Sequence, residues 1–135
     1  MNIDYLNPPT LCPTHGWTHV VSVNDRTGRT IHVSGQVGID ERGQVVGPGD
    51  LSAQTEQAFH NLSLALAAAG ATFQDVVKMN LYVVGLKPEH VPLIRAVRAR
   101  YVSAEHPPAS TLVGVSGLVG PDWLIEIDVT AAVGG

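Results

Sequence analysis

Residues 50–84 read DLSAQTEQAFHNLSLALAAAGATFQDVVKMNLYVV, and the hydrophobic pattern changes period inside this stretch. Face-forming positions recur at Leu51, Thr55, Phe59, Leu62, Leu66 and Ala69, with Ala58 and Ala65 beside them. That stripe has the helical spacing of about 3.6 residues. Asp50 stands where a side chain caps a first turn, and Gly70 where a left-handed residue closes a last one. The opposite face is expected to carry Gln54, Gln57, His60, Asn61 and Ser63. From Val76 the pattern alternates instead, with Val77, Met79, Leu81 and Val83 set against Lys78, Asn80 and Tyr82. Alternation of that kind predicts a half-buried strand.

Upstream, residues 17–23 and 30–37 are rich in β-branched side chains, and the turn residues Asn24-Asp25-Arg26-Thr27-Gly28 between them predict a hairpin. Asp40-Glu41-Arg42-Gly43 reads as a second turn, with a short strand expected at residues 44–46. Residues 1–15 hold three prolines and no periodicity, and are expected to form an extended arm. Downstream, a second helix is expected at residues 91–102, with Ile94, Val97 and Tyr101 facing the core. Pro92 fits its first turn, where a missing N–H costs little. Pro107-Pro108 forces extended backbone, and residues 111–115 and 123–131 read as the last strands. The layout is α+β over one domain, residues 1–135, with two helices packed on one face of a mixed sheet.

Composition narrows the function classes. A chain of 135 residues has room for one core. With 44% apolar and 15% charged residues, disorder is not expected. The net charge is −4, and the cations cluster only at Arg95, Arg98 and Arg100. That distribution argues against a nucleic-acid partner. No apolar run approaches the ~20 residues of a membrane span. The opening Met1-Asn2-Ile3-Asp4 lacks the pattern of a secretion signal, and the one cysteine, Cys12, has no internal disulfide partner. A cytoplasmic location is the expectation. Cys12 precedes Pro13 without a basic neighbour to activate it. His15, His19, His32, His60, His90 and His106 show no metal-binding spacing, so neither metal nor other cofactor is expected.

Six segments share an order and spacing with one known family. They are Gly16-Trp17-Thr18-His19, Ser34-Gly35-Gln36, Ala68-Ala69-Gly70, Asp75-Val76-Val77-Lys78, Pro107-Pro108-Ala109-Ser110-Thr111 and Ile125-Glu126-Ile127-Asp128-Val129-Thr130-Ala131. Over residues 16–131 the chain resembles the Rid family of reactive imine and enamine deaminases. The resemblance implies a chorismate-mutase-like α+β fold with a six-stranded sheet. It also implies a homotrimer with three clefts between subunits, a small imine or enamine ligand, and a glutamate that positions the attacking water. In active relatives an arginine holds the substrate carboxylate, and here Ser110 stands in its place. Trp17 replaces a usual tyrosine, His19 a usual glutamine, and Asp128 a usual glutamate.

The candidate catalytic residues are Glu126 and Ser34. Glu126 lies among Leu124, Ile125 and Ile127, where a carboxylate must be paired or shifted in pKa unless it faces outward. Ser34 precedes Gly35, which lets backbone approach a ligand; its hydroxyl serves either a substrate or the strand end. Trp17 offers an apolar wall or an interface contact. Ser110 and Thr111 would give a polar, uncharged pocket floor, since a hydroxyl cannot form arginine's bidentate pair. Arg95 is the candidate replacement cation, unless it belongs to an exposed helix face. Lys78 reads as structural.

Three functions compete. One is a trimeric hydrolase of imines or enamines using Glu126 and a water. Another is a binding or regulatory trimer that kept the cleft and lost the chemistry, which Ser110 favours. The weakest is RNA cleavage or inhibition of translation, given the acidic balance.

Overall fold

In the computed structural model, which describes residues Met1–Gly135, six strands form one sheet in the order β1-β2-β3-β6-β4-β5. The strands are β1 (Asn2–Leu6), β2 (Val20–Asn24), β3 (Gly28–Val37), β4 (Val76–Val84), β5 (Ala109–Val115) and β6 (Ile125–Gly134), and the helices are α1 (Leu51–Ala68) and α2 (His90–Arg98). β4 and β5 run parallel, and every other pair is antiparallel. The connectivity follows from this. β3 and β4 are both antiparallel to β6, so they run parallel to each other. Strands that run parallel need long crossovers, which α1 and α2 supply. The sheet is mixed and the layout α+β, as the sequence implies.

The helix reading holds at both ends. Asp50 Oδ1 accepts from the Ala53 N–H at 3.0 Å. Beyond Ala68, the Gly70 and Ala71 N–H groups donate to Ala67 and Leu66 carbonyls at 3.0 and 2.9 Å, a Schellman closure. The predicted stripe is buried: Phe59, Leu62 and Leu66 pack with Ile31, Met79, Ile125 and Ile127. α2 adds Ile94 and Val97 to the same core. Tyr101 lies beyond the end of α2, which stops at Arg98 rather than continuing to residue 102. Its ring still stacks on Phe59, with centroids 5.2 Å apart.

Several expectations change. The sixth strand is Asn2–Leu6 in the N-terminal arm, an edge strand on β2. Residues 44–46 form no strand, only a bridge between Ile39 and Val45. β2 and β6 begin at Val20 and Ile125, later than expected. Val77 is half-exposed because the β4–β6 register shifts between Val76 and Lys78, and Val76 takes the buried place. Gln54 and Asn61 are buried, not solvated. Each bonds backbone beyond the strand ends: Asn61 Nδ2 donates to Val37 and Ile39 carbonyls at 3.0 and 2.8 Å. No helix is long and apolar enough to cross a membrane.

Candidate functional site

The site begins with an irregularity in β3. Val33 pairs with Val129, but Gln36 pairs with Ile127, so three steps on β3 match two on β6. This bulge at Ser34-Gly35 keeps Val33 and Gln36 both on the helix side and bends the strand end. The next pairs are Val37 with Glu126 on one side and Tyr82 with Glu126 on the other. Glu126 therefore points to the sheet face that carries no helix. Its carboxylate lies over the bulge: a Cβ added at Gly35 would overlap Glu126 Oε2. Only glycine admits that approach.

Glu126 is half-buried, and burial pushes its carboxyl above the ordinary 4.5. The nearby Asp128 charge pushes the same way. No hydrogen bond to the carboxylate offsets these effects, so its lone pairs stay available. Asp128, on the same face, is instead held by Asn80 Nδ2 at 2.9 Å.

A cleft of about 650 Å³ opens in front of Glu126. One wall is the N-terminal arm, whose Leu11 is buried and whose Cys12 and Pro13 reach the cleft. Burial raises the Cys12 thiol pKa, in keeping with an unactivated cysteine. His19 ties this wall to the bulge. Gln36 Nε2 donates to the Ser34 carbonyl at 3.2 Å and faces His19 Nδ1 at 3.0 Å. The amide nitrogen is thereby fixed as the donor, so Nδ1 accepts. Nε2 then carries the hydrogen and donates to the Cys12 carbonyl at 2.8 Å. This bonding makes His19 a brace between the N-terminal arm and the bulge. Trp17 meets its ring edge-on, with centroids 4.7 Å apart.

The other wall is the loop before β6, which contributes Val119 and Trp123. The Trp123 indole lies against Gly120, where a Cβ would overlap the ring. Gln54 holds this loop to α1. Its Nε2 donates to Gly47 and Asp122 carbonyls at 3.2 and 3.1 Å, and its Oε1 accepts from the Leu124 N–H at 2.9 Å. The turn before α1 brings Arg42 to the rim.

Of the residues singled out in the sequence, Glu126, Ser34, Gly35 and Trp17 line this cleft. The Ser34 hydroxyl donates to the Thr18 carbonyl, so its proton is committed to backbone. Ser110, Thr111 and Arg95 lie elsewhere and are exposed. Ser110 pairs with Met79 and so shares the helix side, opposite Glu126. Thr111 lies on the helix-free face and accepts from Lys78 Nζ at 2.9 Å. Arg95 sits in the last turn of α2. Sequence reasoning missed Arg42, Val119 and Trp123 as lining residues. Arg42 stood in a recognised turn, but nothing local placed that turn beside Glu126. No three His, Cys, Asp or Glu side chains gather to hold a metal ion.

Comparison with known proteins gives a consistent family. The family model described as endoribonuclease L-PSP matches residues 10–133. The chain is 32% identical over 93 residues to a 2-iminobutanoate/2-iminopropanoate deaminase of Dermatophagoides farinae, covering 69% of this chain and 70% of that one. It is 34% identical over 126 residues to the 3-aminoacrylate deaminase RutC of Acinetobacter baylyi, covering 93% and 91%. Among solved structures, the Rid-family protein of unknown function YyfB from Yersinia pestis superposes with a TM-score of 0.75 at 39% identity, over 98% of this chain and 100% of that one.

Proposed function

Since the chain belongs to the endoribonuclease L-PSP family, the Rid proteins, we propose that it hydrolyses imines or enamines to a carbonyl compound and ammonia in the Glu126 cleft. The observation that carries this reading is Glu126 itself. It is a half-buried carboxylate with a raised pKa and no internal hydrogen bond, facing an open cleft over a glycine bulge. A structural carboxylate would be hydrogen-bonded; one kept free and desolvated is poised to handle a proton. The deaminase names of the two relatives support the same chemistry.

The reaction balances on this one side chain. Glu126 orients a water toward the carbon of a protonated imine. The water oxygen forms the new C–O bond as the C=N π pair moves to nitrogen, and Glu126 takes the water proton. It returns that proton to nitrogen, then takes the hydroxyl proton as the C–N bond breaks and the carbonyl forms, and that last proton leaves with ammonia as ammonium. An enamine enters the same path after protonation at carbon. Ser34, with its proton committed to Thr18, retains oxygen lone pairs that accept from the substrate N–H.

The assembly belongs to the proposal. Ser110 and Glu126 lie on opposite sides of the sheet, so one chain cannot bring them together. A homotrimer in which β5 of one subunit borders the cleft of the next would do so. The helix-free sheet face, with Tyr82, Val113 and Asp128, is the surface open to such packing. A binding-only trimer is the second reading, and Ser110 in place of arginine favours it.

The test uses 2-imino acids generated by an amino-acid oxidase, with semicarbazide trapping as the competing fate. The enzyme reading predicts faster loss of imine when the protein is added and no effect with Glu126→Gln. Equal rates with and without the protein, across imines of several sizes and an enamine, would leave the binding reading.

A further inference from the structure

Of the eight lysines and arginines, only Arg42 lines the cleft. Its place is built. Asp40 Oδ1 accepts the Arg42 and Gln44 N–H groups at 2.9 and 3.0 Å, fixing the turn. The one ion pair in the molecule joins Arg100 to Glu56, so the Arg42 guanidinium has no carboxylate partner. Arg42 and Glu126 border one cleft without pairing, leaving a positive and a negative group for a ligand to bridge.

Size and lining add a second constraint. A volume of about 650 Å³ lies in the range that accommodates drug-sized ligands, well above the needs of a three-carbon acid. Trp17, Trp123, Val119, Val37 and Ile39 make much of the lining apolar. Both tryptophans of the chain are among them. Two indoles flanking a cleft favour a flat or branched apolar group between them.

We infer that the cleft takes a carboxylate with a bulky apolar substituent, in chemical class an aromatic or branched 2-imino acid, and that Arg42 anchors its carboxylate. The imine part rests on the function proposed above; the anchor and the size preference rest on the groove that one chain forms, whose open side a neighbouring β5 would border in the proposed trimer. Arginine's planar fork suits a carboxylate, and the anchor stands at the turn rather than at position 110. The apolar substituent then lies against the indoles, while the protonated imine faces Glu126.

Because both tryptophans line the cleft, their fluorescence reports occupancy without catalysis. The probes are 3-phenylpropanoate, its neutral isostere 3-phenylpropanamide, and propanoate. We expect the aromatic acid to bind about tenfold or more tighter than the amide, as a charge-assisted pair warrants. Propanoate should bind at least about tenfold more weakly than the aromatic acid, through lost apolar burial. Arg42→Ala should erase the acid–amide difference and leave amide binding intact, while Arg42→Lys keeps part of it. Equal affinity of acid and amide, or a difference that survives Arg42→Ala, would overturn the anchor. Propanoate binding as tightly as the aromatic acid would overturn the size preference. Loss of the hydrolase reading would leave these binding results readable. Hydrolysis without an acid–amide difference would reject Arg42 and spare the hydrolase.

Discussion

Glu126 has two measurable consequences, and they oppose each other. Its carboxyl is held above 4.5 by burial first and the Asp128 charge second. The folded chain therefore keeps a proton that the unfolded chain releases. Stability falls as pH rises from 4.5 through the folded value, because the folded state binds more protons in that window. At neutral pH the ionised group costs folding free energy. Glu126→Gln should then raise the unfolding free energy at neutral pH, by no more than about 1 kcal/mol for a half-exposed side chain, with a matching rise in melting temperature, and the gain should vanish below the ordinary glutamate value. The same variant should lose hydrolysis. A Glu126→Gln variant less stable than wild type at neutral pH would contradict the desolvation argument. Gly35→Ala tests the other half of the geometry. Its Cβ would overlap the carboxylate, so hydrolysis should fall about 100-fold, as misplacement of a reacting group by an ångström does. A Gly35→Ala protein with wild-type rates would show that the bulge does not position Glu126.

Helices and strands were legible wherever their side chains alone decide the structure. The stripe of α1 and the alternation of β4 come from burial on one face, and the period records that directly. Bulges were not legible. The shift at Ser34-Gly35 and the one at Val77 depend on how β6 pairs with β3 and β4, and β6 lies far along the chain. Polar burial on α1 was hidden for a related reason. Gln54 and Asn61 resemble solvated residues until the loops that need their amides are in place. That gives a test. Gln54→Ala removes three hydrogen bonds and leaves the Asp122 carbonyl and the Leu124 N–H to find others, while the Gly47 carbonyl keeps its bond from the Asp50 N–H. The expected loss is about 2–3 kcal/mol in denaturant unfolding. A loss near zero would mean the loop before β6 is not held by α1. Tyr101 joins α1 to the end of α2. Its hydroxyl donates to Glu56 at 2.6 Å, and burial with that bond pushes its pKa up to about 12. Tyr101→Phe should cost about 1 kcal/mol at neutral pH, measured the same way.

At the level of the assembled protein, half of the candidate site was readable from sequence because family segments carry it. Glu126, Ser34, Gly35 and Trp17 fall in one cleft. Ser110 and Thr111 do not, since β5 is an edge strand on the far side of β4. Arg42 and Trp123 could be found only once the chain had folded, because loops from distant parts of the sequence bring them together. If a neighbouring copy completes the site, light scattering should give three times the 14.3 kDa chain mass. Val113→Lys, on the open face beside Tyr82, should then dissociate the assembly and abolish hydrolysis together. A monomer with full activity would remove the shared-site argument. The most direct measurement is the pH dependence of kcat/KM for hydrolysis of an aromatic 2-imino acid, wild type against Glu126→Gln. The expected result is a rate that climbs with pH through an acidic limb above 4.5, and a fall of at least about 100-fold in the variant. Wild-type rates in Glu126→Gln, with the limb unchanged, would mean that Glu126 does not handle the proton.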